Sequence, residues 1–496
     1  MIRSICIIGA GFAGLTSARV FKALGYEVTL YEKEADVGGV WSASRRYPGL
    51  TTQNTRTTYE LSDFPMPLSY PEWPSGEQVQ LYMQSYVDHY DFNEQVNLNR
   101  TVLATSFDAN RNVWTVNTRG LTSELETAEF DYLIIGNGIF SVPSIPTYTG
   151  VESFIEAGGQ VCHTSEFTRR EDARDKNVLV IGYGKSSCDV ANAIQDITAS
   201  TNVVARSLIW KIPKMIANKL NYKHLFLSRM SEALFRYIHL RGMDKFFHTL
   251  GNPIRKAMLN SVEFLVERQL GLKRLGLHPN TPLESIARST VSLVSDDFYQ
   301  NIEAGKIGIK KQAVITALNG KQALLSNGEK VPVDLIVCGT GWQQVCPFLE
   351  QDIIDRVTDE EGNFRLFRSM IPVDVPRLAF NGYNSSFFSQ LNCEVGALWL
   401  ADYLNQGFEL PSSAEQNRDI DERLAWMEKR TLGKHSKGTN IIPFSIHHID
   451  ELLEDMQMNI DRFTQLKQWL GALQPKVYGH ILPALQKKYD RANRGQ

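Results

Sequence analysis

The chain is predicted to be an α/β protein built from two Rossmann-like dinucleotide-binding domains, the second inserted into the first, plus a helical insertion. Two strand–glycine turn–helix segments, at Gly9 and at Gly182, predict the paired domains. A length of 496 residues requires more than one core, because single cores stop growing near about 250–300 residues. The expected division is a first part of the first domain over 1–165, the second domain over 166–330 with the insertion at about 214–290, and a return to the first domain with a C-terminal helical segment over 331–496.

The first domain begins with SICII at 4–8, a short run rich in β-branched residues of the kind a buried parallel strand uses. Gly9-Ala10-Gly11-Phe12-Ala13-Gly14 follows, then LTSARVFKALG, with apolar residues at helical spacing and Gly25 placed to end the helix. Gly9 permits the tight turn, Gly11 lets backbone approach a diphosphate, and Gly14 lets helix and strand pack closely. The helix start offers free N–H groups and a positive dipole end to phosphate. The second strand, YEVTLYE, ends in Glu32, 23 residues after Gly9, where a carboxylate accepts ribose hydroxyls. Gly38-Gly39-Val40-Trp41 comes next, a second glycine pair with an aromatic. Its position just after the ribose acid favours FAD, bound extended, over NAD.

The second domain repeats the pattern. NVLVI at 177–181 leads into Gly182-Tyr183-Gly184-Lys185-Ser186-Ser187 and the helical VANAI. Gly182 and Gly184 take the close-approach positions; Ser187 replaces the third glycine, which predicts slightly looser packing of helix on strand. The next strand, NVVA, ends in Arg206-Ser207 where an NAD-specific site places an acid, with Lys211 close behind. A cation and a hydroxyl there suit a 2′-phosphate, so NADPH is the expected second nucleotide.

The rest of the composition narrows the function by exclusion. A net charge of −3 carries no basic excess of the kind nucleic-acid binding needs. The six cysteines contain no C-x-x-C pair, which argues against a disulfide framework, a zinc site or a dithiol reductase, and for a reducing, cytoplasmic setting. With the first strand at Ser4, no leader peptide is expected, and no apolar run is long enough to span a bilayer. His447-His448 with Asp450 is not read as a metal site, since adjacent rings on a regular element do not share one ion.

These motifs together resemble the flavin-containing monooxygenase family, the class B flavoprotein monooxygenases. The resemblance rests on GAGFAG (9–14), GGVW (38–41), SDFPMP (62–67), DYLIIGNG (131–138), GYGKSSCD (182–189), DLIVCGTGW (334–342) and LFRSMIPVDVPRLAFNGY (366–383). It implies an FAD domain with an inserted NADPH domain, a flavin C4a-hydroperoxide, and transfer of one oxygen atom from O2 to a small, lipophilic substrate. It also implies that a polar amide lines the space over the flavin. Counting back from Asp63 puts Gln53 in that slot with Asn54 beside it, so both are candidate catalytic residues. Gly341 of the Thr340-Gly341 pair is read as a backbone-approach position for nucleotide, and Gln390 as the start of a helix whose N-terminal amides face the flavin. Of the family fingerprint F-x-G-x-x-x-H, Gly159, His163 and the following aromatic Phe167 are present. Phe154, however, lies nine residues before the histidine instead of six. His163 reads as a hydrogen-bonding hinge residue. Phe167 stands where Baeyer–Villiger relatives carry tryptophan, which favours N- or S-oxygenation over oxygenation of a ketone. An NADPH oxidase or dehydrogenase without oxygen transfer stays open.

One segment fits neither nucleotide domain. Residues 206–274 hold 14 Lys and Arg against four acids, a net of +10, with apolar residues interleaved at helical spacing. Two or three amphipathic helices are expected. They serve as helices packed on the domain with a solvated basic face, as a lid over a lipophilic substrate, or as a peripheral membrane contact through 214–274. Nothing in the sequence sets an oligomeric state.

Overall fold

The computed structural model describes residues 2–122, 124–288, 291–433 and 437–494. The apolar strand Ser4–Ile8 sits at the centre of a five-stranded parallel sheet. The order is Leu378–Phe380, Tyr132–Ile135, Ser4–Ile8, Glu27–Tyr31 and Val96–Asn97. Four of the five residues of Ser4–Ile8 are buried, as is all of Tyr132–Ile135, which is what a sheet covered on both faces requires. Its helix, Phe12–Ala23, packs on one face and ends at Gly25 with φ +87°.

A second parallel sheet has the order Gly308–Lys311, Ser200–Ala205, Asn177–Ile181, Leu335–Cys338 and Gln160–His163. Each sheet carries a three-stranded antiparallel meander before its later central strand: Thr101–Asp108, Val113–Arg119 and Leu125–Phe130 in the first, Ile315–Asn319, Gln322–Leu325 and Lys330–Pro332 in the second. The second sheet therefore reaches beyond the expected 166–330. Gln160–His163 pairs with Leu335–Cys338, and both lie outside that span. The glycine motif marks only the first βαβ unit, whereas a strand at the sheet edge is recruited by hydrogen bonds that no local pattern announces.

The two crossings between sheets run side by side. Val142–Pro143 pairs antiparallel with Trp342–Gln343. Ser141 Oγ donates to Gln343 O at 3.0 Å and Asn137 Nδ2 to Val345 O at 3.1 Å, so the asparagine of the GNG turn ties the ribbon together.

The insertion departs from two or three amphipathic helices. It holds one long helix, Asn252–Leu270, with Pro253 in its first turn and Gly271 at φ +62° ending it. Around it are three helices of 4–6 residues (Lys223–Phe226, Arg229–Ala233, Gly242–Phe247) and a small hairpin, Met215–Ile216 with Leu220–Asn221. Leu234 and Phe235, assigned to a helix face by their spacing, are buried beyond the end of Arg229–Ala233, so tertiary packing claims them instead. Part of the basic excess is met by the C-terminal helix Ser445–Asp455. Arg229 pairs with Asp450, Tyr237 donates to Glu451 at 2.7 Å, and Arg241 reaches Glu454 at 3.3 Å.

Candidate functional site

The first glycine turn is sterically obligate. Gly9 has φ +104°, and a Cβ there would lie 2.7 Å from Gly136 O. A Cβ on Gly14 would fall 1.7 Å from Gly9 O, so helix and strand touch through bare backbone. Gly11 is different: its missing Cβ would meet only Gly39 Cα, at 3.7 Å, and Gly39 itself has φ +59°. Two glycine backbones thus pass each other closely at the helix N-terminus. Glu32 is buried, and its carboxylate accepts the amides of Ala10 at 2.6 Å and Glu34 at 3.0 Å, which orients it beside the turn. Burial raises its pKa, against the pull of those two amides. Trp41 is buried edge-on to Tyr59, ring centroids 5.8 Å apart.

The helix Ser389–Leu404 meets this cradle from the other side. Its first-turn amides have no intrahelical acceptor. Gln390 is fully buried: Nε2 donates to Thr58 O at 2.7 Å, while Oε1 has no partner among the described residues. Asn381, buried and within the 366–383 motif but not singled out in it, locks this helix to the nucleotide helix through Ser17 Oγ and Cys393 O, both at 3.0 Å. Further along, Glu394 is buried against the Ser62 amide at 2.9 Å and its hydroxyl at 2.6 Å; burial pushes its carboxyl up to about 7.

The second turn repeats the geometry with one exchange. Gly182 has φ +106°, whereas a Cβ added to Gly184 would meet no atom within 4 Å, so the outer side of Gly184 is open. Ser187 is fully buried and donates to Ile181 O at 3.1 Å. A Cβ on Gly339 would lie 2.0 Å from Ser187 Oγ. The glycine requirement has moved from the helix to the neighbouring strand end, and a hydrogen-bonded contact stands where looser packing was expected. Ser186 is half-buried in the first turn of Lys185–Ile194. Arg206 and Ser207 are exposed just past Ser200–Ala205, and among the described residues no ion pair engages Arg206. Lys211 does not join them. It is buried, its ammonium 2.9 Å from Tyr183 O, so it lies behind the glycine turn instead of beside a 2′-phosphate position. The signal was a lysine between Trp210 and Ile212 in an otherwise apolar run.

Gln53 is exposed. Its Oε1 accepts the Leu293 amide at 3.1 Å, and its backbone carbonyl accepts the Tyr222 hydroxyl from the insertion. Among the described residues none accepts from the Gln53 NH2. Asn54 is buried and donates to Phe387 O at 2.8 Å, just before the helix that carries Gln390. Gly341 has φ +89° with open space around it. Its carbonyl accepts from His163 Nε2 at 3.1 Å, and His163 Nδ1 accepts the Ser165 amide at 3.2 Å, which fixes the proton on Nε2. Burial lowers the His163 pKa, so the ring is neutral and bridges the second sheet to the connecting ribbon. Phe154 is fully buried beneath Gly159, where a Cβ would strike its ring at 2.3 Å. Phe154, nine residues before His163, therefore packs on the fingerprint glycine in space.

His447 and His448 turn to different partners. His447 bridges Glu232 at 2.9 Å and Asp244 at 3.1 Å in the insertion; His448 meets Asn392 Oδ1 at 2.8 Å and Arg368 O at 3.1 Å. Among the described residues no helix is long and apolar enough to cross a membrane, and all six cysteines are free.

Residues 2–466 match the family described as "Flavin-binding monooxygenase-like". The chain is 26% identical to "Probable flavin-containing monooxygenase 1" of Arabidopsis thaliana, covering 92% of each chain. It is 26% identical to "Dimethylaniline monooxygenase [N-oxide-forming] 2" of Cavia porcellus, covering 91% of this chain and 82% of the relative. The solved structure of OTEMO in complex with FAD and NADP superposes with a TM-score of 0.68 at 17% identity, covering 92% of this chain and 98% of that one, which shows a shared fold.

Proposed function

Because the chain belongs to the flavin-binding monooxygenase-like family and is an NADPH-dependent FAD monooxygenase, we propose that it delivers one atom of O2 to a nucleophilic nitrogen or sulfur of a small, lipophilic molecule. The other atom leaves as water, with NADPH supplying two electrons. FAD supplies the oxygen-activating and NADPH the hydride chemistry. The cradle at Gly9, Gly11 and Gly14, with Glu32, Gly39 and Trp41, fits FAD: its backbone faces are bare and its acid is already oriented. The turn at Gly182 and Gly184, with Ser186, Ser187, Arg206 and Ser207, fits NADPH. Gly341 is assigned to backbone approach, and the free amides of the helix start at Gln390 suit the negative charge that develops on a reduced ring.

The observation that carries the heteroatom reading is Gln53. An exposed amide with an NH2 to offer, held by Leu293 and Tyr222, is a neutral donor to an oxygen atom. Asn54, one donor spent on Phe387 O, supports it from below. A neutral donor serves attack by an uncharged amine or thioether, which needs no further acid or base. The N-oxide-forming name of the Cavia relative points the same way. The test is product analysis with NADPH, air and three probes: N,N-dimethylaniline, an aryl methyl sulfide and cyclohexanone. One N-oxide or sulfoxide per NADPH is expected. Lactone as the main product would move the enzyme to ketone oxygenation, and hydrogen peroxide alone would make it an oxidase.

For the insertion, the reading extends to peripheral contact with an anionic membrane in the cytoplasm. Ile254, Phe264 and Leu265 on Asn252–Leu270 are 54%, 59% and 40% exposed, and Leu250 is 88% exposed. Lys245, Lys256 and Arg268 are exposed in the same stretch, an apolar and basic mixture suited to a lipid surface.

A further inference from the structure

Lys211 is a buried lysine directly behind the second glycine turn. It is 1% exposed, one of the largest fully buried side chains of the molecule. Its Nζ donates to Tyr183 O at 2.9 Å and Ser292 Oγ at 2.8 Å, lies 3.5 Å from Gly184 O, and sits 4.8 Å from the Tyr183 ring centroid. None of these groups is anionic. Asp189, on the same nucleotide helix, is already taken: Lys185 holds both its oxygens at 2.5 and 2.6 Å, and Ser295 donates to it as well. Burial lowers the pKa of Lys211, and the Cys188 thiol and the shared Asp189 carboxylate oppose that only in part. A buried ammonium without an anion is strongly disfavoured. Its retention at this place calls for an anion that arrives from outside.

The place is specific. Tyr183 and Gly184 form the second glycine turn, and the far side of Gly184 is open space. In a trans peptide the carbonyl and the following N–H point in opposite directions. Carbonyls of Tyr183 and Gly184 drawn back towards Lys211 therefore turn the amides of Gly184 and Lys185 outward. The turn then presents N–H groups with a positive charge behind them. Ser292 is also the neighbour of Leu293, whose amide holds Gln53, so one ammonium braces the turn and the strand carrying the Gln53 contact.

We propose that Lys211 is a positioning residue for NADPH, holding the Gly182–Gly184 turn from behind and supplying the charge that receives the nucleotide diphosphate. The proposal rests on the reading of this turn as the NADPH site. The test uses the FAD-loaded enzyme and two variants. Lys211→Gln keeps an amide donor for the turn and removes the charge; Ser292→Ala keeps the charge and loosens it. NADP⁺ binding is titrated beside that of adenosine 2′-monophosphate, which carries the 2′-phosphate but no diphosphate, with FAD content and melting temperature measured in parallel. Lys211→Gln is expected to weaken NADP⁺ at least fivefold and to leave the 2′-monophosphate within twofold. Ser292→Ala is expected to weaken NADP⁺ about twofold to threefold, which keeps the test open should the glutamine variant fold poorly. A weakening of NADP⁺ below fivefold in folded Lys211→Gln, unchanged NADP⁺ binding in Ser292→Ala, or equal weakening of both ligands overturns the role of Lys211. Wild-type enzyme that binds no NADP⁺ overturns the site reading instead.

Discussion

Replacing Gly14 by alanine should empty the first nucleotide cradle. The new Cβ would lie 1.7 Å from Gly9 O and 2.9 Å from Gly9 C, whereas a carbon approaches a carbonyl oxygen no closer than about 3.3 Å. The helix start must back away by roughly 1.5 Å, because Gly9 cannot yield. Its amide is bound to Tyr31 O at 2.8 Å, its φ is +104°, and it already faces Gly136 O. Moving the helix carries the amides around Gly11 off the diphosphate. Hydrogen bonds to a charged group contribute about 1.5–3 kcal/mol each, so losing two weakens FAD by about a hundredfold to ten-thousandfold. Overpacking costs the fold about 1–3 kcal/mol besides. The assay is the ratio of flavin to protein absorbance after purification, followed by titration with added FAD. Gly25→Ala is the control: φ is +87° with nothing within 4 Å, so only left-handed strain of about 1–2 kcal/mol applies, and flavin content stays at the wild-type level. A yellow Gly14→Ala enzyme with wild-type stoichiometry would refute the steric argument.

Arg206→Ala should raise the KM for NADPH about tenfold to a hundredfold and leave NADH unaffected, since a charge-assisted bond to a 2′-phosphate is removed; an undiminished NADPH preference in steady-state kinetics places the 2′-phosphate elsewhere. Burial acts to lower the His447 pKa, but the carboxylates of Asp244 and Glu232 outweigh it and hold the ring up to about 10. A group raised in the folded state stabilises fully below its unfolded pKa near 6.5 and loses that contribution as pH climbs through about 10. Melting temperature should therefore fall from pH 7 to pH 10 more steeply in wild type than in His447→Gln; parallel slopes remove the charged bridge from the account. Wild-type enzyme should co-sediment with phosphatidylserine vesicles at low salt, and the double variant Phe264→Ser, Leu265→Ser should not. Because both side chains are exposed, its melting temperature should be unchanged, and equal binding by the variant excludes this helix as the contact.

Much of the site was legible because a nucleotide turn is a local object. Gly9, Gly11 and Gly14 do their work through backbone atoms within one turn, so their spacing is visible in six consecutive letters. The helix near Gln390 was read from the run LNCEVGALWLADYL, and it spans Ser389–Leu404. The basic insertion was harder. Its charge was plain, yet helical spacing overstated its helices, because Leu234 and Phe235 are buried past the end of Arg229–Ala233 and not on one face of a helix.

By itself, the order of residues determined the two cradles and hence the pairing of two nucleotides, since steric room at a glycine depends on the chain's own backbone. Only the folded molecule decided which groups surround them. Gln53 meets Leu293 across 240 positions and Tyr222 across 169, and Lys211 finds Tyr183 from 28 positions away, turned inward where its sequence neighbourhood suggested phosphate. Contacts of that kind follow from how the sheets, the connecting ribbon and the insertion close on one another. A side chain's direction and its counter-charge are then set by elements that are remote in the chain.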